Sequence, residues 1–206
     1  MNNKKNEENL ENEIKVILIG DSGVGKTNYV YRFVEGNFSL ITAPTVGFDF
    51  KSKICYLPNS QKKIKFQIWD TAGTEKYMSI NKALFQRVQG IILMYDISDV
   101  KTFNHLEKWM ELIRELASGI PLILVGNKID LINDRLISKE KGEQFANDNN
   151  ITFFESSGKS GINIEESFIF LGEEIVKNNS IHGKSEGNTS MISKDSNNNK
   201  KKKNCC

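Results

Sequence analysis

Short apolar runs rich in β-branched and aromatic residues alternate along this chain with stretches whose apolar residues recur at helical spacing, and this alternation restricts the possible folds more than any other feature. The strand-like runs are 14–19, 46–57, 63–69, 90–97, 121–125 and 151–155. Helical periods fall between them at 26–35, 78–88, 102–117, 138–149 and 164–177. In the third of these, Phe103, Leu106, Trp109, Met110, Ile113, Leu116 and Ala117 make one apolar stripe. Strands followed by helices in this way bury both sheet faces, which predicts an α/β fold. Its open, mostly parallel six-stranded sheet should carry helices on both faces. Runs 46–57 and 63–69 are joined only by a short turn containing Pro58, Asn59 and Ser60. So short a link predicts a hairpin, and hence one antiparallel strand at the sheet edge. In such sheets ligands bind beyond the carboxyl ends of the strands, so the loops that follow strands are where chemistry is expected.

The chain has 206 residues, enough for one domain with tails. Residues 1–13 are polar, mixed in charge and without the apolar core of a signal peptide, which predicts a flexible extension on a cytosolic protein. Residues 14–177 are expected to form the globular domain. The tail, 178–206, holds six lysines, two acids and almost nothing apolar, so it should be disordered. It carries +4 of charge and leaves −2 on the rest. That distribution is not a basic face on the domain, so nucleic acid is not an expected partner. No apolar run approaches the ~20 residues needed to cross a bilayer. Of three cysteines two are terminal, and Cys55 lies in an alternating strand, where a free thiol packs as a small hydrophobe.

Four post-strand loops carry recognisable chemistry. Gly20, Asp21, Ser22, Gly23, Val24, Gly25, Lys26 and Thr27 match G-x-x-x-x-G-K-[ST] between an expected strand and an expected helix. The glycines let backbone N–H groups converge on phosphate oxygens, and the helix N-terminus favours negative charge. Lys26 can reach the β- and γ-phosphates, and the Thr27 hydroxyl can ligate Mg²⁺. A Gly-rich helix cap is the bland reading, but a chance match in this composition is on the order of 1 in 100. At the end of another strand stand Trp69, Asp70, Thr71, Ala72 and Gly73. A carboxylate there can hold Mg²⁺ through water, and the Gly73 N–H can meet a γ-phosphate. Asn127, Lys128, Ile129 and Asp130 form the third loop. The Asp130 carboxylate can accept from N1–H and the 2-amino group of guanine, a donor pair adenine lacks. Alone this tetrapeptide is weak evidence, arising by chance in about one such chain in ten. Ser157, Gly158 and Lys159 form a further candidate contact to the base, and an ordinary glycine turn otherwise.

The order and spacing of these motifs, together with Thr45, resemble Ras-superfamily GTPases over roughly residues 14–177. Val46 to Phe50, Lys65 to Thr71, Tyr95 to Ser98 and the terminal Cys205 and Cys206 look like Rab signatures. The resemblance implies a P-loop small-GTPase fold, GTP and GDP with Mg²⁺ as ligands, and a GTP-regulated, membrane-anchored switch in vesicle traffic. It implies that Phe38 stacks on guanine, that Thr45 joins Thr27 and Asp70 around Mg²⁺, and that Lys26, Gly73 and residue 74 serve the hydrolytic step. It also implies an effector patch containing Phe50, Trp69 and Leu84, although the bland role of such aromatics is core packing. Prenyl groups on Cys205 and Cys206 would place the protein on the cytoplasmic face of an intracellular or plasma membrane, cycling through the cytosol. Implied partners are effectors, an exchange factor, a GTPase-activating protein and a prenyl-binding chaperone.

Three departures from the Rab pattern stand out. Thr74 occupies the place of the glutamine that orients the attacking water. Leu84, Phe85, Gln86 and Arg87 replace a Tyr-Tyr-Arg-Gly stretch, and Gly158 replaces an alanine whose backbone N–H does the binding. Thr74 raises an alternative function, a GTP-holding, effector-binding module with little or no hydrolysis. Another P-loop enzyme, such as a nucleotide kinase, would need an Arg-rich lid that the sequence lacks.

Overall fold

A computed structural model describes residues 12–38, 48–71 and 85–185. Six strands form one sheet in the order β2-β3-β1-β4-β5-β6. They are β1 (Asn12–Ile19), β2 (Phe48–Leu57), β3 (Lys62–Thr71), β4 (Gly90–Asp96), β5 (Leu122–Asn127) and β6 (Thr152–Glu155). Only β2 and β3 run antiparallel, in the register Phe50 opposite Trp69 and Ile54 opposite Lys65. The expected mixed sheet with its antiparallel edge strand is what the chain forms. β4 is buried along its whole length because it lies between two parallel neighbours with helices on either face.

The helices are α1 (Lys26–Glu35), α2 (Val100–Asn104), α3 (Leu106–Leu116), α4 (Lys139–Asp148) and α5 (Ile164–Ser185). One side of the sheet packs on α1 and α5 through Val16, Leu18, Phe33, Phe66, Phe168 and Leu171. There the rings of Phe33 and Phe168 stack at 3.8 Å between centroids, nearly parallel. The other side packs on α2, α3 and α4 through Ile17, Tyr95, Phe103, Trp109, Ile113 and Ala146. Cys55 is buried in the first of these layers, where burial pushes its thiol up to about 11 and so keeps it protonated and inert.

Several expected boundaries move. The single helix expected over 102–117 is two, α2 and α3, because at His105 the chain makes one tight turn. Its N–H donates to the carbonyls of both Lys101 and Phe103. β1 starts at Asn12, inside the extension expected to be loose. Its Glu13 carboxylate accepts from Lys65 Nζ at 2.7 Å and from Gln67, which ties that residue to β3. α5 runs on past Lys177 to Ser185, into the stretch expected to be disordered. Once a helix is nucleated and packed, each further residue adds a bond without a new nucleus. Here Asn178 Nδ2 also reaches the Gly119 carbonyl at 3.4 Å, and Ser180 Oγ bonds to the Val176 carbonyl at 2.8 Å. The expected helix at 78–88 falls mostly outside the described residues.

Candidate functional site

Three of the four loops singled out above meet at the carboxyl end of the sheet, beside Asp70 at the end of β3. After β1 the chain turns through Gly20 at φ +138°, where an added Cβ would lie 2.2 Å from the Met94 carbonyl oxygen of β4. No other residue fits there, so the close approach of loop to sheet is written into that glycine. The Lys26 ammonium is buried in the loop's centre and donates to the carbonyls of Gly20 and Asp21, each at 2.8 Å. Gly25 is the N-cap of α1 and offers no side chain to its first-turn amides. A helix N-terminus without a side-chain cap is suited to an anion.

Beside this loop, Thr27 Oγ1 donates to Asp70 Oδ2 at 2.6 Å. Asp70 is almost wholly buried, and its other oxygen, Oδ1, has no hydrogen-bond partner among the described residues. Burial raises the carboxyl's pKa above the ordinary range, against the opposing pull of the Thr27 bond and the nearby Lys26 charge. A buried carboxylate oxygen without a partner is costly, and a hard cation with its waters is the group that would relieve it. The oxygen donors present therefore fit Mg²⁺.

On the far side of the phosphate loop, Asn127 acts as a two-sided tie. Its Nδ2 donates to the Val24 carbonyl at 2.8 Å, while its Oδ1 accepts from the Gly158 N–H at 3.2 Å and from Ser156 Oγ at 3.3 Å. A Cβ on Gly25 would sit 2.6 Å from that same Nδ2. Asp130 Oδ1 accepts from Ser157 Oγ at 2.5 Å, and Ser157 Oγ in turn accepts from the Ser160 N–H at 2.9 Å. Lys128 adopts φ +71°, a conformation that costs a side-chain-bearing residue roughly 1–3 kcal/mol. Its ammonium is held 2.7 Å from Asp96 Oδ2, at the end of β4. These three post-strand loops thus form one hydrogen-bonded cluster around the Asn127 side chain.

A Ras family model matches residues 15–177 of this chain. The chain belongs to the Ras family. Ras-related protein Rab-13 of Rattus norvegicus is 42% identical over 180 residues, covering 87% of each chain. Ras-related protein Rab-10 of Diplobatis ommata is 44% identical over 164 residues, covering 79% of this chain and 81% of that one. Ras-related protein Rab-8B of Bos taurus is 44% identical over 163 residues, covering 79% of this chain and 78% of that one. The protein is a Rab-like small GTPase of vesicle traffic: it binds GTP and GDP with Mg²⁺ and hydrolyses GTP.

In this Ras-family chain the sheet brings together Gly20, Asp21, Val24, Gly25, Lys26, Thr27, Asp70, Asn127, Lys128, Asp130, Ser157 and Gly158. Ser22 and Gly23 form the exposed tip of the phosphate loop, and Phe38 is half-buried beyond the end of α1. Lys159 lies in the Ser157 loop, its carbonyl accepting from Arg32 of α1. Phe50 and Trp69 touch edge to face, with ring centroids 5.4 Å apart, across the β2–β3 pair; Phe50 is 46% exposed and Trp69 is partly buried against the core. Thr45, Gly73, Thr74, Leu84, Cys205 and Cys206 lie outside the described residues.

The sequence reading missed four supports of the site. Arg32 holds the Gly158 carbonyl at 3.1 Å as well as that of Lys159, so α1 braces the base-side loop from below. Asp96 was noted only as part of the Tyr95 to Ser98 stretch, yet it anchors Lys128 and accepts from both Ser98 N–H and Oγ. His105 and Trp109 reach the phosphate loop itself. Trp109 gave only the packing signal of the apolar stripe of an expected helix, and His105, off that stripe, carried no signal.

Proposed function

We propose that this GTPase is a membrane-anchored Rab-type switch whose intrinsic hydrolysis is slow, so that its GTP state persists until a partner ends it. The observation that carries the nucleotide-binding part is the convergence of Lys26, Thr27 and Asp70 with Asn127, Asp130 and Ser157 around one loop. In this reading the domain spans 14–177 and the N–H groups of 23–27 cradle the phosphates. Lys26 leaves its carbonyl partners for the β- and γ-phosphate oxygens. Thr27 and Asp70, joined by Thr45, hold Mg²⁺, which when bound neutralises charge on those oxygens. Asp130 reads the guanine edge, and the Gly158 N–H and Lys159 support the base on which Phe38 stacks. Asn127 positions the phosphate loop against the base loop. Gly73 meets the γ-phosphate, and Phe50, Trp69 and Leu84 form the patch that effectors read once GTP has ordered the switch segments.

Thr74 supports slow turnover. Its short side chain lacks the paired donor and acceptor with which a glutamine orients water, and even glutamine-bearing Ras is slow, at ~10⁻⁴ s⁻¹. Thr74→Gln should raise the single-turnover hydrolysis rate about tenfold with GTP affinity nearly unchanged. No gain would remove residue 74 as the limit and leave the reading of a GTP-holding module without its physical basis.

The anchor rests on Cys205 and Cys206 behind lysines 200–203. Among the described residues no helix is long and apolar enough to cross a membrane. Two prenyl chains give stable attachment where one gives marginal binding, and each lysine adds about 1 kcal/mol near anionic lipid. This places the protein on the cytoplasmic face of an intracellular or plasma membrane, cycling through the cytosol with a prenyl-binding chaperone. Mass spectrometry of the C-terminal peptide from cells should find both thiols prenylated; two free thiols would refute the anchor.

A further inference from the structure

Asp21, the second residue of the phosphate loop, is 5% exposed although it is charged. Its two carboxylate oxygens are each taken by a different group from the opposite layer of the molecule. Trp109 Nε1, on the buried face of α3, donates to Oδ1 at 2.8 Å. His105 Nδ1, in the turn between α2 and α3, lies 2.5 Å from Oδ2, and a ring nitrogen bonded to a carboxylate is the one that carries the proton. The residue's own backbone carbonyl is one of the two acceptors that hold the Lys26 ammonium. A single residue thus joins the α2–α3 junction to the cation that faces the phosphates.

We propose that His105 and Trp109 are positioning residues for nucleotide binding: by gripping both oxygens of Asp21 they fix the first half of the phosphate loop and so set how long nucleotide stays bound. The Asn127 bond to the Val24 carbonyl fixes the second half of the same loop. Between these two ties lies only the exposed tip, Ser22 and Gly23. Binding phosphate requires the loop's N–H groups to converge, and a loop held open in that shape loses little freedom on binding. Releasing one tie lets Asp21 rotate and raises the entropy of the free loop that the bound state must remove. The two grips differ in kind. Trp109 is 1% exposed and packs in the core, so its loss also disturbs α3. The His105 side chain is 32% exposed, so its bond can be removed with little effect on packing.

This inference rests on the phosphate-loop reading, and the experiment separates the two. In the full-length protein with Mg²⁺, release of a fluorescent GDP analogue is timed for His105→Leu, His105→Asn and Lys26→Ala. Leucine keeps the apolar bulk but has no donor, whereas asparagine carries an amide nitrogen where the imidazole carries Nδ1. A hydrogen bond to a charged, buried acceptor corresponds to a change on the order of tenfold or more. His105→Leu should therefore release GDP about tenfold faster than wild type, and His105→Asn should return to within about twofold of it. Equal rates for the leucine and asparagine variants, fast or slow, would overturn the positioning role, since only the donor distinguishes them. Lys26→Ala should scarcely hold GDP; if it held GDP as wild type does, the phosphate-loop reading itself would be wrong.

Discussion

The two ends of the nucleotide site are built on opposite principles. At the base end the groups that line the loops around Asn127 are bonded to one another: Val24, Ser156 and Gly158 on the Asn127 amide, Ser157 on Asp130 Oδ1, and Asp96 on Lys128. At the metal end Asp70 keeps one buried oxygen without a partner among the described residues, and burial raises its pKa. A satisfied network is stiff and discriminates by shape and donor pattern, because any mismatch leaves a buried group unpaired. A carboxylate held against its preference to be neutral stores free energy that a cation can release. Recognition is therefore preorganised at one end, while response to the metal is stored at the other.

The largest test of that contrast lies at the base end. Asp130→Asn keeps an oxygen to accept from Ser157 but turns an acceptor towards the base into a donor. Guanine-nucleotide affinity should fall by about 10³-fold or more, with a gain of binding to xanthosine nucleotides, as measured by competition titration. Unchanged GTP affinity would mean that Asp130 does not read the base. A smaller effect is expected at the metal end from Thr27→Asn, which removes a hydroxyl oxygen and adds an amide beside Asp70. Affinity for GTP in Mg²⁺ should drop by about 10–100-fold relative to GDP, and equal, unaltered affinities for both nucleotides would exclude Thr27 from the metal.

A third test concerns the stored charge alone. Because the folded-state pKa of Asp70 is raised, the native metal-free protein binds this proton more tightly than the unfolded chain does. Its stability must then fall as pH rises from the ordinary carboxylate range through the raised value. Asp70→Asn removes that titration, so thermal melts in chelator should show the variant gaining on wild type across this window by a few degrees. Saturating Mg²⁺ should reverse the order at neutral pH. Parallel curves would show that Asp70 carries no such strain. The smallest effect is expected for Gly158→Ala. A Cβ there would meet only ordinary contacts at 3.6 Å to Asn28 and Tyr29, and the N–H on Asn127 is retained. Nucleotide affinity should stay within about twofold, and a large loss would mean that the base end is packed more tightly than its hydrogen bonds require.

How much could be read in advance also differs between regions. β4 was plain because a strand buried on both faces must be apolar throughout, and 90–97 is a nearly unbroken apolar run. The antiparallel edge was legible because a link as short as the turn at Pro58 cannot cross over to make a parallel pair. The helix break at His105 was not, since 102–117 keeps its apolar period across the break. Arg32 carried no signal in the sequence, yet besides the nearby Gly36 carbonyl it bonds to two carbonyls more than a hundred residues away.

By itself the sequence determined the alternation that makes the sheet, the glycines that only a close backbone approach requires, and the residue types that phosphate, metal and guanine demand at fixed spacing. These are local properties: periodicity, φ and donor chemistry act within a few residues. Tertiary structure alone decided that Asn127 ties two loops together, that Asp96 steadies Lys128 in its left-handed conformation, and that Asp21 is gripped by the α2–α3 junction. Each of those contacts joins residues distant in the chain, and a hydrogen bond carries no trace in the sequence of the partner that folding brings to it.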